Sequence, residues 1–338
     1  MFSEKMLATK ATITLAILSA FYLPQAMARP LANEAGWGLT LNINGGFSQS
    51  QSQMKTDDDN EVTADLNNSG QQINSGIIFP LARLSYTFED LKTQLFAGNS
   101  LENVSQGQFQ LELGATHQFS DTSKLSLAWF PRLPSFSKTW QDPYVVNQSR
   151  QKTDQDSQGA RLAWENIGGS LFSFKYGFAK NQLDNETSGT ALALANEQKR
   201  LLDRNANYHR TTLEMLVPMG NGLFFEPALT YTLGDATGQA MSYDEYGTRL
   251  SLIKIMDKHR ITGNVFYSQA RYDVSNPIFN RTRQDDKWGL FAFYSYKAPL
   301  GWQNASFTLF GAWANTDSNI QFYESDMLSV AAGMAYTF

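Results

Sequence analysis

The sequence predicts an all-β fold: a transmembrane antiparallel β-barrel of the outer-membrane type, with about 14 strands and about 12 as the alternative. Three observations predict it. The chain ends on a strand with one greasy face and one face of small residues. It begins with the make-up of a secretory signal. Between the two, short and long connections alternate.

The closing strand carries Leu328, Val330, Ala332, Met334, Tyr336 and Phe338 on one parity, and Ser329, Ala331, Gly333, Ala335 and Thr337 on the other. Side chains alternate faces along a strand, so lipid suits the first set and a crowded or wet lumen the second. Leu328, Val330, Met334, Tyr336 and Phe338 are therefore expected to form the strand by which barrel-assembly machinery would engage the chain. At the other end, Lys5 and Lys10 precede an apolar run from Ala11 to Leu23 and then Ala26-Met27-Ala28. A charged start, a short apolar stretch and an A-x-A site predict a signal peptide over residues 1–28, cut after Ala28. An uncleaved anchor is the competing reading, but the run falls short of the roughly 20 residues that span a bilayer. Residues 29–35 would then be a short periplasmic segment and 36–338 the barrel. After Leu31 no stretch approaches a membrane helix, and lipid cannot satisfy an open sheet edge, so any spanning falls to a closed barrel.

Composition narrows the function classes. The formal net charge is −5, and removing Glu4, Lys5 and Lys10 leaves −6, which argues against nucleic acid as a partner. Aromatics make up 13%, with 23 Phe and 14 Tyr, which suits the interfacial girdles of a barrel. The absence of cysteine excludes disulfides, thiolate metal sites and cysteine nucleophiles. No cofactor is implied, and the expected surroundings are outer-membrane lipid and lipopolysaccharide.

Alternation starts at Gly36, with Trp37, Leu39, Leu41 and Ile43 against Thr40, Asn42 and Asn44. Ser48 to Ser75 reads as a solvated loop. The second strand, about Ile78 to Phe88, sets Leu84, Tyr86 and Phe88 against Arg83, and Pro80 suggests a bulge or strand start. A faint third strand lies near Leu91 to Gly98. In the fourth, Phe109, Leu111, Leu113, Ala115 and Phe119 oppose Gln108, Gln110, Glu112 and Gln118. Leu125, Leu127 and Trp129 follow a tight turn, and Pro131 to Gln158 reads as a long loop. The next pair sets Ala160, Leu162 and Trp164 against Arg161, then Phe172, Phe174, Tyr176 and Phe178 against Lys175. Beyond a second long loop, Asn181 to Asn207, come Leu213 and Met215 against Arg210 and Glu214, then Leu229 and Tyr231 against Glu226. Further strands are expected near 246–255, 260–272, 287–297 and 305–314. Short turns near Glu89, Ser120, Asn166, Pro218, Asp257 and Leu300 alternate with long polar loops near Asp57, Ser105, Trp140, Thr190, Ala236, Asn280 and Asn319. That is the rhythm of short periplasmic turns and long outer loops. A soluble β-sandwich shares the alternation but not this rhythm.

Four stretches carry a resemblance: Gln141-Asp142-Pro143-Tyr144, Met241 to Gly247, Asn276 to Asp286 and Thr316 to Tyr323. Together they resemble an uncharacterised family of Gram-negative outer-membrane proteins, known only as a domain of unknown function, over about Gly36 to Phe338. The last 60 or so residues more faintly resemble the barrel of surface-lipoprotein assembly modifiers. Those proteins carry a helical-repeat periplasmic domain, for which Arg29 to Ala35 leaves no room. The resemblance implies the barrel fold and supplies no catalytic or binding residue.

The residues that could carry chemistry are the histidines, the charge runs and the inward parity. His117 and His259 fall at short turns, and only His209, near Asp203 and Arg204, sits where a barrel enzyme would place one; no nucleophile motif accompanies it. An enzyme is accordingly the last-ranked reading, and none is expected. Asp57-Asp58-Asp59 could attract calcium but lacks the spaced arrangement of a defined loop, so no metal site is expected. Arg281, Arg283, Asp285 and Asp286 read as a salt-bridged outer loop, with contact to lipopolysaccharide phosphate as the sharper alternative. The inward parity places Arg83, Arg161, Lys175, Arg210, Arg249 and Lys287 against Glu112, Glu214 and Glu226. Such charges must be paired or hydrated, and the basic surplus would favour anions. From Thr190 to Asp203 the composition is helical, with Leu194, Gln198, Leu201 and Leu202 on one face, and a helix there is expected to narrow the mouth. The leading expectation is a channel for diffusion of small hydrophilic solutes. The alternative is a non-conducting surface barrel whose loops bind or help display a partner.

Overall fold

The structure, a computed structural model, describes residues 31–99, 111–131 and 138–338. The expected signal peptide and the start of the fourth strand at Gln108, Phe109 and Gln110 lie outside these residues. The strands are β1 (Gly36–Gln51), β2 (Gln72–Thr87), β3 (Thr93–Gly98), β4 (Glu112–Gln118), β5 (Lys124–Phe130), β6 (Lys138–Trp140), β7 (Lys152–Glu165) and β8 (Phe172–Leu183). They continue with β9 (Ala206–Met215), β10 (Val217–Gly220), β11 (Leu223–Ala236), β12 (Tyr243–Met256), β13 (His259–Asn276), β14 (Arg281–Lys297), β15 (Ala305–Ser318) and β16 (Ser325–Thr337). Each pairs antiparallel with its neighbour in the chain, except that β5 pairs β7, β9 pairs β11, and β1 closes the ring on β16. β10 continues β9 beyond Leu216, and β6 lies on β7 outside the ring, which leaves a closed barrel of 14 strands.

Closure matters physically because every strand then has two partners and no edge is left for lipid to solvate. The outward parity is greasy all round: Trp37, Ile43, Ile78, Leu229, Leu290 and Val330 are exposed. Aromatic clusters flank this band. His117 packs edge-on against Phe119 and His259 stacks on Tyr296 at the end that holds the chain's last strand residues, while Tyr231 with Tyr246 and Tyr267 with Trp288 mark the opposite half. The two-residue turn at Asp257-Lys258 needs a left-handed residue, and Asp257 supplies it with φ 42°.

Several strands are longer than the sequence suggests. β1 and β2 reach Gln51 and Gln72, so the expected loop from Ser48 to Ser75 shrinks to 52–71. β7 begins at Lys152 inside the stretch read as loop to Gln158, and residues 281–286 belong to β14 and not to a loop. Above the bilayer both faces of a strand can be polar, so the alternation that marks a strand disappears while the hydrogen-bond ladder goes on. Pro80 neither bulges nor starts a strand: it sits mid-β2 in unbroken register opposite Ile43. β3 pairs β2 only from Arg83 to Thr87, so among the described residues Pro80 needs no donor on that flank.

Candidate functional site

Register places two chemically different walls inside the barrel. One, on β4, β7, β8, β9, β11 and β12, is ionic. Arg161 donates to both carboxylate oxygens of Glu112 at 2.9 and 2.7 Å, and the Glu112 side chain is wholly buried. Glu214 accepts from Lys175 at 2.8 Å and from Arg249 at 2.7 Å, and Arg249 also reaches Glu226 at 3.1 Å. Higher up, Lys287 meets Glu245 at 2.7 Å and Arg283 meets Asp285 at 2.6 Å. Such pairs offset the desolvation of charges held inside a wall.

The other wall is apolar. Phe291 and Phe293 on β14, Phe310 on β15 and Ala331 on β16 form one buried cluster, joined by Ile77 and Phe79 on β2 and Ala312 on β15. The Phe79 and Phe310 rings lie 5.2 Å apart although β1 and β16 stand between their strands. They meet because those intervening strands present small residues: a Cβ on Gly333 would come within 2.3 Å of Asn44 Oδ1 and of the Ile43 carbonyl. The small-residue face of β16 is thus a bed for rings from its neighbours. Arg83, between the walls, lies 4.2 Å over the Phe96 ring.

The long loops pack together over the outer end. Tyr144, Leu202, Ile320, Phe322 and Tyr323 form a buried core, against which Met54, Leu66, Leu192, Leu194, Met241, Ile278 and Phe279 pack. Buried Arg150 staples two loops, donating to the Gln53 carbonyl at 3.1 Å, Gln53 Oε1 at 2.9 Å, the Pro143 carbonyl at 3.3 Å and the Asn60 carbonyl, and lying 4.5 Å over the Trp140 ring. Burial pulls its guanidinium down to about 10. Asp142 accepts backbone N–H donations from Tyr144, Gly189 and Ala191 at 2.9–3.0 Å, which ties loop 141–151 to loop 184–205. Tyr144 and Tyr323 share a hydroxyl–hydroxyl bond of 2.6 Å, and Asn276 Nδ2 donates to Tyr323 at 2.9 Å. Burial raises both phenols above the usual tyrosine range.

Only Asn196–Arg200 of the expected 190–203 helix is helical, forming α1. The N–H groups of Gly189 and Ala191 go to Asp142 instead of to a helix, and Gln198 turns back to accept the Ala195 N–H at 2.9 Å. Tertiary bonds therefore outcompete local helix propensity. Of the four residues proposed to narrow the mouth, Leu202 is buried in the cap core and Leu194 packs on it, Gln198 caps α1, and the Leu201 carbonyl accepts the Ala240 N–H at 3.1 Å.

Beneath the cap lie two cavities of about 400 Å³ each that share Tyr208 and Tyr243. Arg204, Arg283 and Lys287 line the upper one with no carboxylate among its lining residues. Arg161, Lys175, Arg210 and Arg249 line the lower one with a single carboxylate, Glu214. Gly177 leaves open space on β8 beside it. Arg210 is exposed within this space and makes no ion pair among the described residues.

Register thus puts Arg83, Glu112, Arg161, Lys175, Arg210, Glu214, Glu226, Arg249 and Lys287 on one inward face. Sequence reasoning missed Glu245, Arg283 and Asp285 on that face because it began β12 and β14 too late. It also missed Phe79, Phe291 and Phe310, apolar residues on the inward parity that pack on one another across the seam. His209 points away from the lumen and bonds the Tyr176 hydroxyl at 2.7 Å, and it makes no ion pair among the described residues. Asp57 caps a short 3₁₀ turn (Asp58–Asn60), and Asp58 meets Lys152 at 2.7 Å. Among the described residues no group of acidic or histidine side chains is arranged to hold a metal.

A closed ring of strands, greasy outside and ionic within, defines a β-barrel of the outer-membrane class. Residues 36–337 match the family described as "Protein of unknown function (DUF2860)", and the chain belongs to that family. The fainter C-terminal likeness to surface-lipoprotein assembly modifiers is not part of that match. No curated protein matches the chain. Among solved structures it is similar to outer-membrane expressed OmpT of Vibrio cholerae, at 12% identity over 92% of this chain and 100% of that one, with TM-score 0.42. It is similar to an anion-selective porin from Comamonas acidovorans at 8% identity, 90% and 100% coverage and TM-score 0.40. A Pseudomonas aeruginosa FadL homologue is similar at 11% identity, 94% and 92% coverage and TM-score 0.41.

Proposed function

We propose that the protein is an outer-membrane channel for small hydrophilic solutes, shut at its outer mouth by the loop cap in the conformation described. The observation that carries this reading is the pair of cavities that have Tyr208 and Tyr243 in both their walls, with Arg210 exposed inside the wall. A barrel serving only as a scaffold has no need of unfilled, charged interior space. The cap core closes the route above these cavities, so passage requires the loops to part. In this reading the signal peptide 1–28 is removed on export, the closing strand engages the assembly machinery, and lipopolysaccharide surrounds the outer loops. Planar-bilayer recording of refolded protein tests the proposal: defined single-channel steps support it, and silence from folded protein, with or without the cap, refutes it.

A second reading has its own support. The cap buries Tyr144, Leu202 and Phe322 in one core and Trp140 under Arg150, more than a loose set of loops requires. A surface barrel whose loops bind or help display a partner would use such a platform. Retention of a partner with no conductance would favour it.

A further inference from the structure

We infer that the space under the cap is a binding chamber for a small anion carrying an aromatic ring, with Arg210 holding the anionic group and Tyr208 and Tyr243 the ring. The inference deepens the channel reading by naming a solute class.

The charge lining the two cavities is one-sided. Seven cationic side chains face them and one carboxylate does, because most of the acidic partners stand outside the lining. Glu245, the acidic group nearest the ring platform on β12, is held by Lys287 at 2.7 Å. Arg210 differs from its neighbours: it is exposed inside the wall and makes no salt bridge among the described residues, while the nearby Glu245 is bonded to Lys287. A guanidinium in that setting recognises a carboxylate-type group with paired N–H donors.

The ring platform follows from sequence register. Tyr208 on β9 and Tyr243 on β12 both stand opposite Gly234 on β11. A Cβ on Gly234 would lie 2.6 Å from the Tyr243 ring, so this glycine is what lets Tyr243 lie against the wall towards Tyr208, 6.3 Å away between centroids. Tyr272 extends the row, 5.1 Å from Tyr243. Arg210 is two residues along β9 from Tyr208 on the same face, about 6–7 Å further down the wall. A ring seated on the tyrosines would therefore direct an attached carboxylate at Arg210. A cavity of about 400 Å³ is within the usual size of a small-ligand site.

The test is calorimetric titration of refolded protein in detergent with benzoate, benzamide and acetate, alongside Arg210→Gln, Tyr243→Leu and a variant lacking Ala191–Leu202. Benzoate is expected to bind, benzamide and acetate at least tenfold more weakly, and Arg210→Gln to lose at least tenfold in benzoate affinity while retaining heat-modifiable gel mobility. Tyr243→Leu should weaken benzoate and leave acetate unchanged. Equal affinity for benzoate and benzamide overturns the inference. So does the absence of benzoate binding in both the intact and the cap-deleted protein, since deletion removes a closed mouth as the reason. Conductance recorded in parallel separates the two claims: channel steps that benzoate does not block leave the channel standing without this chamber. Benzoate binding without conductance leaves the chamber without the channel.

Discussion

Glu112 and Arg161 show what a single residue does in this wall. The carboxylate has no exposure and both its oxygens accept from one guanidinium, so removing it takes a two-point ion pair from a cation that is only 16% exposed. Glu112→Ala should destabilise the barrel by about 3–5 kcal/mol, read as a lower urea midpoint in lipid vesicles. Glu197→Ala, which breaks an exposed pair with Arg200, should change it by less than about 1 kcal/mol. Tyr144 and Tyr323 make a pH prediction. Their phenols titrate above the ordinary value because burial disfavours phenolate. Above pH about 10 the unfolded chain loses protons first, so cap stability should fall as pH rises and be flat below that. Proteolysis of the outer loops measured from pH 8 to 11 checks this, and Tyr144→Phe with Tyr323→Phe should flatten the curve. At this scale strand parity, where it was legible, told which charges share one face of the sheet. Arg283, Asp285 and Glu245 were hidden because they stand on strand ends above the bilayer, where both faces are polar.

Elements tell a similar story. The closing strand β16 could be read in full, since lipid on one side and packed rings on the other impose opposite demands on alternate residues. What the small face packs against could not be read, because Phe79 and Phe310 come from strands on either side of the β1–β16 seam. Gly333→Val should meet Asn44 and the Ile43 carbonyl and cost about 1–3 kcal/mol or block closure. Gly311→Val, outward on β15 with its nearest contact at 3.9 Å, should fold normally. The fraction of heat-modifiable protein on a gel compares the two. The loop 184–205 was legible only in part. Its composition favours a helix, but Asp142, distant in sequence, takes the N–H groups such a helix would use, and α1 is left with five residues. Local propensity cannot foresee a competitor from another loop.

The whole molecule is a barrel with an ionic wall, an aromatic wall and a cap of packed outer loops. Seven cationic groups and one carboxylate line the two cavities, so in the proposed channel permeation should favour anions once the cap parts. The closed ring was legible because lipid and closure constrain every strand. The cap was not, since its core gathers one to three apolar residues from each of six loops that lie far apart in the chain. Single-channel recording across a salt gradient, comparing the intact protein with the variant lacking Ala191–Leu202, tests the capped-channel account most directly. The account predicts small or infrequent steps from the intact protein, larger ones after deletion, and a reversal potential of the sign given by anion preference. Unchanged conductance in a well-folded deletion, or clear cation preference, would contradict it.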